Sequence, residues 1–203
     1  RQAVAESLNE RFGTAFAAKN ITMTVGAAGG LNVILKALLN PGDEVIAFAP
    51  YFGEYNNYVA NFDGVMVVVP ADVPSFQLDL ETFAKKITAK TKAVIVNNPN
   101  NPTGYLYTRR EMNQIRDLVK KYDLFLFSDE VYREFIYTGS PYISACHLEG
   151  IENNVVLIDS VSKRYSECGI RIGALITKNK EIRDAVMKFC QARLSPPLIG
   201  QIA

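Results

Sequence analysis

Lys163 lies in Asp159-Ser160-Val161-Ser162-Lys163-Arg164-Tyr165, and Arg171 follows eight residues later. The apolar run Val155-Val156-Leu157-Ile158 just ahead of it reads as a strand that delivers these groups to its end. Serine hydroxyls and the planar guanidinium fork of an arginine suit phosphate oxygens. A lysine amine beside them can condense with an aldehyde to form a Schiff base. An aldehyde and a phosphate on one small molecule describe pyridoxal 5'-phosphate. Ser-x-Ser-Lys alone is a weak pattern, because a lysine after a strand is ordinarily a solvated loop residue. The other parts of such a site must come from elsewhere in the chain.

Four segments offer them. Gly26-Ala27-Ala28-Gly29-Gly30 follows an apolar run and precedes a helical pattern beginning at Leu31. Small residues there let backbone N–H groups and a helix N-terminus approach an anion. A tight strand-to-helix turn without a ligand explains the segment equally well, and both the P-loop and the dinucleotide fingerprint are absent. Pro50-Tyr51-Phe52-Gly53 could stack an aromatic ring on a planar ligand or simply pack against a helix. Asn97-Asn98-Pro99-Asn100-Asn101-Pro102-Thr103-Gly104 makes a rigid turn. In it, Asn101 could offer its amide to a ring hydroxyl or a substrate carboxylate. Finally, Asp129 in Ser128-Asp129-Glu130-Val131-Tyr132 follows the apolar Leu124-Phe125-Leu126-Phe127. A carboxylate buried there needs a partner. A protonated pyridine nitrogen would serve, and Tyr132 could then reach the ring oxygen. A helix-capping Asp129 with Tyr132 in the core is the alternative. Asp129 and Glu130 lack the further ligands of a metal site. His147, the only histidine, is assigned no role, and no nucleophile elbow supports hydrolysis.

Strand-like and helix-like runs alternate along the chain. Strands are expected over 21–25, 45–49, 65–69, 93–97, 124–128, 155–159 and 172–177. Most are short, β-branched and apolar on both faces, as in sheets covered by helices on each side. Helices are expected over 29–39, 53–61, 78–87, 108–122 and 180–193, with Asp79 and Thr108 as N-caps. This pattern describes one α/β domain over residues 1–203, a three-layer αβα arrangement around a mainly parallel sheet of about seven strands. Ligands in such folds gather beyond the carboxyl ends of the strands, where the distinctive residues fall.

The chain is 48% hydrophobic and 21% charged, with a formal charge of +1, which offers no long-range field for nucleic acid or an anionic membrane. No run approaches the ~20 apolar residues of a membrane span. Cys146, Cys168 and Cys190 are odd in number and widely spaced, so neither a disulfide framework nor a zinc site is expected, and the reducing cytoplasm is the expected compartment. The sequence opens without a methionine inside a helical pattern and stops as another helix begins, which points to a piece of a longer chain.

In this order and spacing the segments resemble the class I and II aminotransferases, the fold type I pyridoxal-phosphate enzymes related to aspartate aminotransferase. The strongest parts are Asn101-Pro102-Thr103-Gly104, Ser128-Asp129-Glu130-Val131-Tyr132, and Ser160-Val161-Ser162-Lys163 with Arg171-Ile172-Gly173. The resemblance implies the large cofactor-binding domain, with an N-terminal segment and a C-terminal small domain lying outside this sequence. It implies a Lys163 Schiff base with the cofactor, Asp129 on the pyridine nitrogen, Tyr132 and Asn101 on the ring oxygen, and Asn101 also at the substrate carboxylate. Gly26, Ala27, Ala28, Ser160, Ser162 and Arg171 would hold the phosphate. Phe52 stands where the family often has a stacking tryptophan. The implied activity is amino-group transfer between an amino acid and a 2-oxo acid, in a homodimer. The family's carboxylate-binding arginine and the tyrosine that reaches the partner's phosphate fall outside the sequence, so the isolated chain is expected to be nearly inactive. A C–S lyase-like enzyme on the same platform and a non-catalytic binding module are the alternatives.

Overall fold

Every expected strand forms to within two residues of its expected bounds in the computed structural model, which describes residues 1–202. The strands are β1 (Ile21–Val25), β2 (Glu44–Phe48), β3 (Val65–Val69), β4 (Thr91–Asn97), β5 (Phe125–Asp129), β6 (Val155–Ser160) and β7 (Ile172–Ile176). The helices are α1 (Gln2–Phe12), α2 (Gly26–Leu38), α3 (Glu54–Ala60), α4 (Leu80–Lys86), α5 (Arg109–Tyr122), α6 (Val161–Arg164), α7 (Lys180–Arg193) and α8 (Leu198–Ile202). They surround one seven-stranded sheet in the order β1-β7-β6-β5-β4-β2-β3. Strands β3, β2, β4, β5 and β6 run parallel, and β7 is antiparallel to both of its neighbours.

The pleat sorts the core residues into two layers, because successive side chains on a strand face opposite ways. Val94 and Val96 of β4, Leu126 of β5 and Leu157 of β6 join the layer of α1, α4 and α5. Ala93, Ile95, Phe127, Val156 and Ile158, one position along, join the layer of α2, α3 and α7. Burying each Val, Leu, Ile or Phe contributes about 1.5–3 kcal/mol. Helix starts follow their caps. Asp79 accepts from Thr82 N at 2.8 Å, and Thr108 with Glu111 closes a reciprocal capping box on α5.

Two local readings are corrected. Helix α2 begins at Gly26 rather than Gly29, because Gly26 itself takes the turn at φ 66° and Ala27 and Ala28 already belong to the first turn. Lys163 sits on one short helical turn, α6, whose start is capped by the Ser160 hydroxyl accepting from Ser162 N at 3.1 Å.

The topology gathers the chemistry on one edge. Strands β2, β4, β5 and β6 end there at Phe48, Asn97, Asp129 and Ser160. Val25, the last residue of β1, pairs with Ile172, the first of β7, and Ser160 pairs with Gly173, so the end of β1 and the start of β7 share that edge.

Candidate functional site

At this edge lies a cavity of about 300 Å³. Ala27, Ala28, Phe52, Asn101, Asp129, Tyr132, Ser160, Ser162, Lys163 and Arg171 all line it, although they come from six separate segments of the chain. Gly26 does not line it but lies directly behind, where a Cβ would come within 2.5 Å of the Arg171 guanidinium.

One end of the cavity is built for an anion. The 13-residue α2 points its N-terminus at it, and the first-turn N–H groups of a helix have no intrahelical partner. Arg171, at φ 56°, donates from Nη1 to the Cys168 carbonyl at 2.9 Å, and its own carbonyl accepts from Gly26 N at 3.0 Å. This ties the guanidinium to the helix start. Ser160 is 4% exposed, and its hydroxyl donates to the Ile172 carbonyl at 3.0 Å while accepting from Ser162 N. Its hydroxyl also lies 2.7 Å from the Ser162 hydroxyl, so the two serines brace each other and Arg171 is the freer donor.

This corner tolerates no added atom. A Cβ on Gly173 would lie 2.5 Å from the Gly26 carbonyl carbon and 2.9 Å from Ala27 N. Gly173→Ala is expected to push the α2 start away from Arg171, destabilising the fold by about 1–3 kcal/mol in urea denaturation.

The other end carries Asp129, which is 5% exposed. Tyr55, fully buried on α3, donates its hydroxyl to Asp129 Oδ2 at 2.7 Å, and Val131 N donates to Oδ1 at 3.3 Å. Burial pushes the Asp129 carboxyl up to about 6, against the pull of these two hydrogen bonds. Burial and the facing Asp129 charge raise the Tyr55 phenol well above its ordinary value, so Tyr55 keeps its proton and remains the donor. Asn97 locks the neighbouring loop. Its Nδ2 donates to the Asp129 carbonyl at 3.0 Å, and its Oδ1 accepts from Asn101 N at 2.7 Å. The same lining includes Lys163, with Nζ 5.8 Å from the Tyr132 ring centroid, and Phe52, whose ring meets Tyr55 edge-on.

Sequence reasoning missed Tyr55, Tyr58 and Asn97, all of which line the cavity. The spacing of Phe52, Tyr55 and Tyr58 puts three aromatics along one helical face, a pattern that core packing produces as readily. Asp129 ends β5 rather than capping a helix, and Tyr132 faces the cavity rather than the core. His147 hydrogen-bonds the Phe12 carbonyl at 2.9 Å, away from the cavity. Among the described residues no cluster could hold a metal ion, and no helix is long and apolar enough to cross a membrane. The three cysteines are unbridged.

The cavity suits pyridoxal phosphate on its own donor set. A helix N-terminus with Ser162 and Arg171 could take the phosphate, a buried carboxylate could take the ring nitrogen, and an amine lines the same cavity. The space over Gly26 is filled by the arginine that would close on the anion.

The family model described as aminotransferase class I and II matches residues 1–203. An aspartate aminotransferase of Thermotoga maritima is 35% identical over 190 residues, covering 93% of this chain and 50% of the relative. The solved aspartate aminotransferase of Thermus thermophilus with maleate superposes with a TM-score of 0.92 at 32% identity, covering 98% of this chain and 52% of that one. The aromatic aminotransferase of Pyrococcus horikoshii gives a TM-score of 0.92 at 32% identity, covering 98% and 54%. The chain spans about half the length of the curated relatives it matches.

Proposed function

We propose, on the premise that the chain belongs to the class I and II aminotransferases, that the protein transfers an amino group between an amino acid and a 2-oxo acid using pyridoxal 5'-phosphate. Residues 1–203 would form its cofactor-binding large domain, and the part of the relatives that this chain does not match is where the rest of the substrate grip would lie. The observation that carries the reading is the single cavity that unites Lys163, buried Asp129 and the α2 N-terminus with Arg171. A homodimer placed in the cytoplasm belongs to the same proposal.

When bound, the cofactor supplies an aldehyde for amine exchange and a conjugated ring that accepts the electron pair of a broken α C–H bond. The chain's residues do the rest. Lys163 Nζ would hold the aldehyde carbon in the resting protein and, once freed by a substrate amine, would serve as the base that takes the substrate α-proton and as the acid that delivers it to the former aldehyde carbon. Asp129, held by Tyr55, would keep a proton on the ring nitrogen. Tyr132 and Asn101 offer hydrogen bonds to the ring hydroxyl, with Asn101 fixed by Asn97. Ser162, Arg171 and the α2 N–H groups would bind the phosphate, and Phe52 would stack on the ring.

Solved relatives named for aspartate and for aromatic aminotransferases superpose equally well on this chain, so the fold by itself does not set the amino acid. The test is an assay of the intact protein with pyridoxal phosphate, an amino donor and a 2-oxo acid. Amino-group transfer is the expected result. Pyruvate and ammonia release in its place would favour the C–S lyase-like reading, and binding without turnover would favour a non-catalytic module. The 203-residue chain alone is expected to bind the cofactor weakly, with Lys163 left exposed, and to transfer amino groups at no useful rate.

A further inference from the structure

On the sheet face opposite the cavity, one carboxylate joins the two segments that carry Tyr132 and Lys163. Asp129 and Ile158 are paired across β5 and β6, so Asp159, one residue on, points to the other face. There its Oδ2 accepts from Arg133 Nη2 at 2.6 Å, and its Oδ1 accepts from Arg164 Nη2 at 3.1 Å and from Ser160 N at 2.8 Å. Arg133 is the residue after Tyr132, and Arg164 is the residue after Lys163. Consecutive residues on a helical turn point about 100° apart, so an arginine anchored behind α6 fixes where the neighbouring lysine points.

The joint is largely buried and braced. The Arg133 side chain is 3% exposed, Asp159 10% and Arg164 12%. Glu134 approaches Arg164 Nε at 3.3 Å and reaches Arg11 of α1 at 2.6 Å. Helix α6 buries no residue of its own, so apolar packing does not seat it. Ion pairing and the Ser160 cap do.

We propose that Asp159 is the positioning residue for Lys163, aligning its amine with the aldehyde of a cofactor held at Asp129 and Arg171 by clamping Arg164 to Arg133. This rests on the function proposed above. The step it governs is condensation of the Lys163 amine with that aldehyde, forming one C=N bond and releasing the carbonyl oxygen as water.

The experiment compares two ligands on the intact, cofactor-stripped protein. Pyridoxal phosphate can bond to Lys163, whereas pyridoxamine phosphate carries no aldehyde and cannot. In Asp159→Asn, bonding of pyridoxal phosphate, followed by its visible absorption in stopped flow, is expected to slow by about 10- to 100-fold. Pyridoxamine phosphate affinity should stay within about twofold of the parent, since phosphate and ring contacts are untouched. Asp159→Asn leaves two guanidiniums facing each other and could unfold the joint. Arg164→Lys, which keeps the charge and loses the planar fork, supplies the second arm and should show a smaller slowing in the same direction. Equal weakening of both ligands would make Asp159 merely structural, and unchanged bonding in the folded variants would overturn the proposal. A parent protein that never bonds pyridoxal phosphate would overturn the function proposed above as well, which separates the two failures.

Discussion

Replacing Lys163 by alanine in the intact protein is expected to abolish the visible absorption band that pyridoxal phosphate gives when bonded to the lysine. Amino-group transfer is expected to fall by on the order of 10,000-fold, the upper end of what a positioned proton-transfer group contributes. Lys163 is the only lysine lining the cavity, and the other cation there, Arg171, is a guanidinium that stays protonated and cannot serve as the nucleophile. The loss should be chemical rather than structural. Lys163 is exposed on a turn that buries nothing, and alanine is the residue best suited to a helix. The contact of Nζ with the Tyr132 ring is worth about 0.5–1 kcal/mol at an exposed site. Urea denaturation should therefore place the cofactor-free variant within about 1 kcal/mol of the parent. Ser162, Arg171 and the α2 N-terminus remain, so the cofactor should still bind without a covalent bond. A variant that kept the band, or more than a hundredth of the parent rate, would remove Lys163 from the centre of the mechanism.

The layer structure was legible because its signal is local. Residues 93–96 and 155–158 divide alternately between the two faces of the sheet, and Gly, Pro or Asn follows β1, β2, β3 and β4 closely. Strand direction is different. Ile172–Ile176 reads like the parallel strands of the sheet, and only the short connection through α6 makes it run back along β6. The site was legible where composition is unusual, as at Asn101, Asp129 and Lys163. It was not legible where a residue acts through a distant partner. Tyr55 finds Asp129 across 74 positions, and Arg133 finds Asp159 across 26, both by strand order rather than by spacing. Residue types alone likewise make Ser160 a phosphate ligand, whereas its hydroxyl is already spent on Ile172 and on the α6 cap.

Asp129→Asn should separate stability from function. The folded protein holds the Asp129 carboxyl at about 6 against an ordinary 3.8, so it binds the proton more tightly than the unfolded chain does. Folding is then favoured by low pH at this group. Stability contributed here falls as pH rises from about 4 to about 6, and above that the buried charge costs about 3 kcal/mol. Asparagine carries no charge, and its amide oxygen can still accept from Tyr55. The cofactor-free variant should therefore be more stable than the parent at pH 8, by up to about 3 kcal/mol, and equal to it near pH 4. Function should move the other way. A protonated ring nitrogen is the partner that makes this buried charge favourable, and without it the ring loses its pull on electrons. Amino-group transfer is expected to drop by on the order of 1,000-fold, as when one electrostatic stabiliser is removed from an active site. Urea denaturation at the two pH values, beside turnover measured with saturating cofactor, reads both effects. A variant destabilised at pH 8 would mean that the Asp129 charge is already stabilised in the free protein, with Tyr55 and the Val131 amide sufficient to hold it.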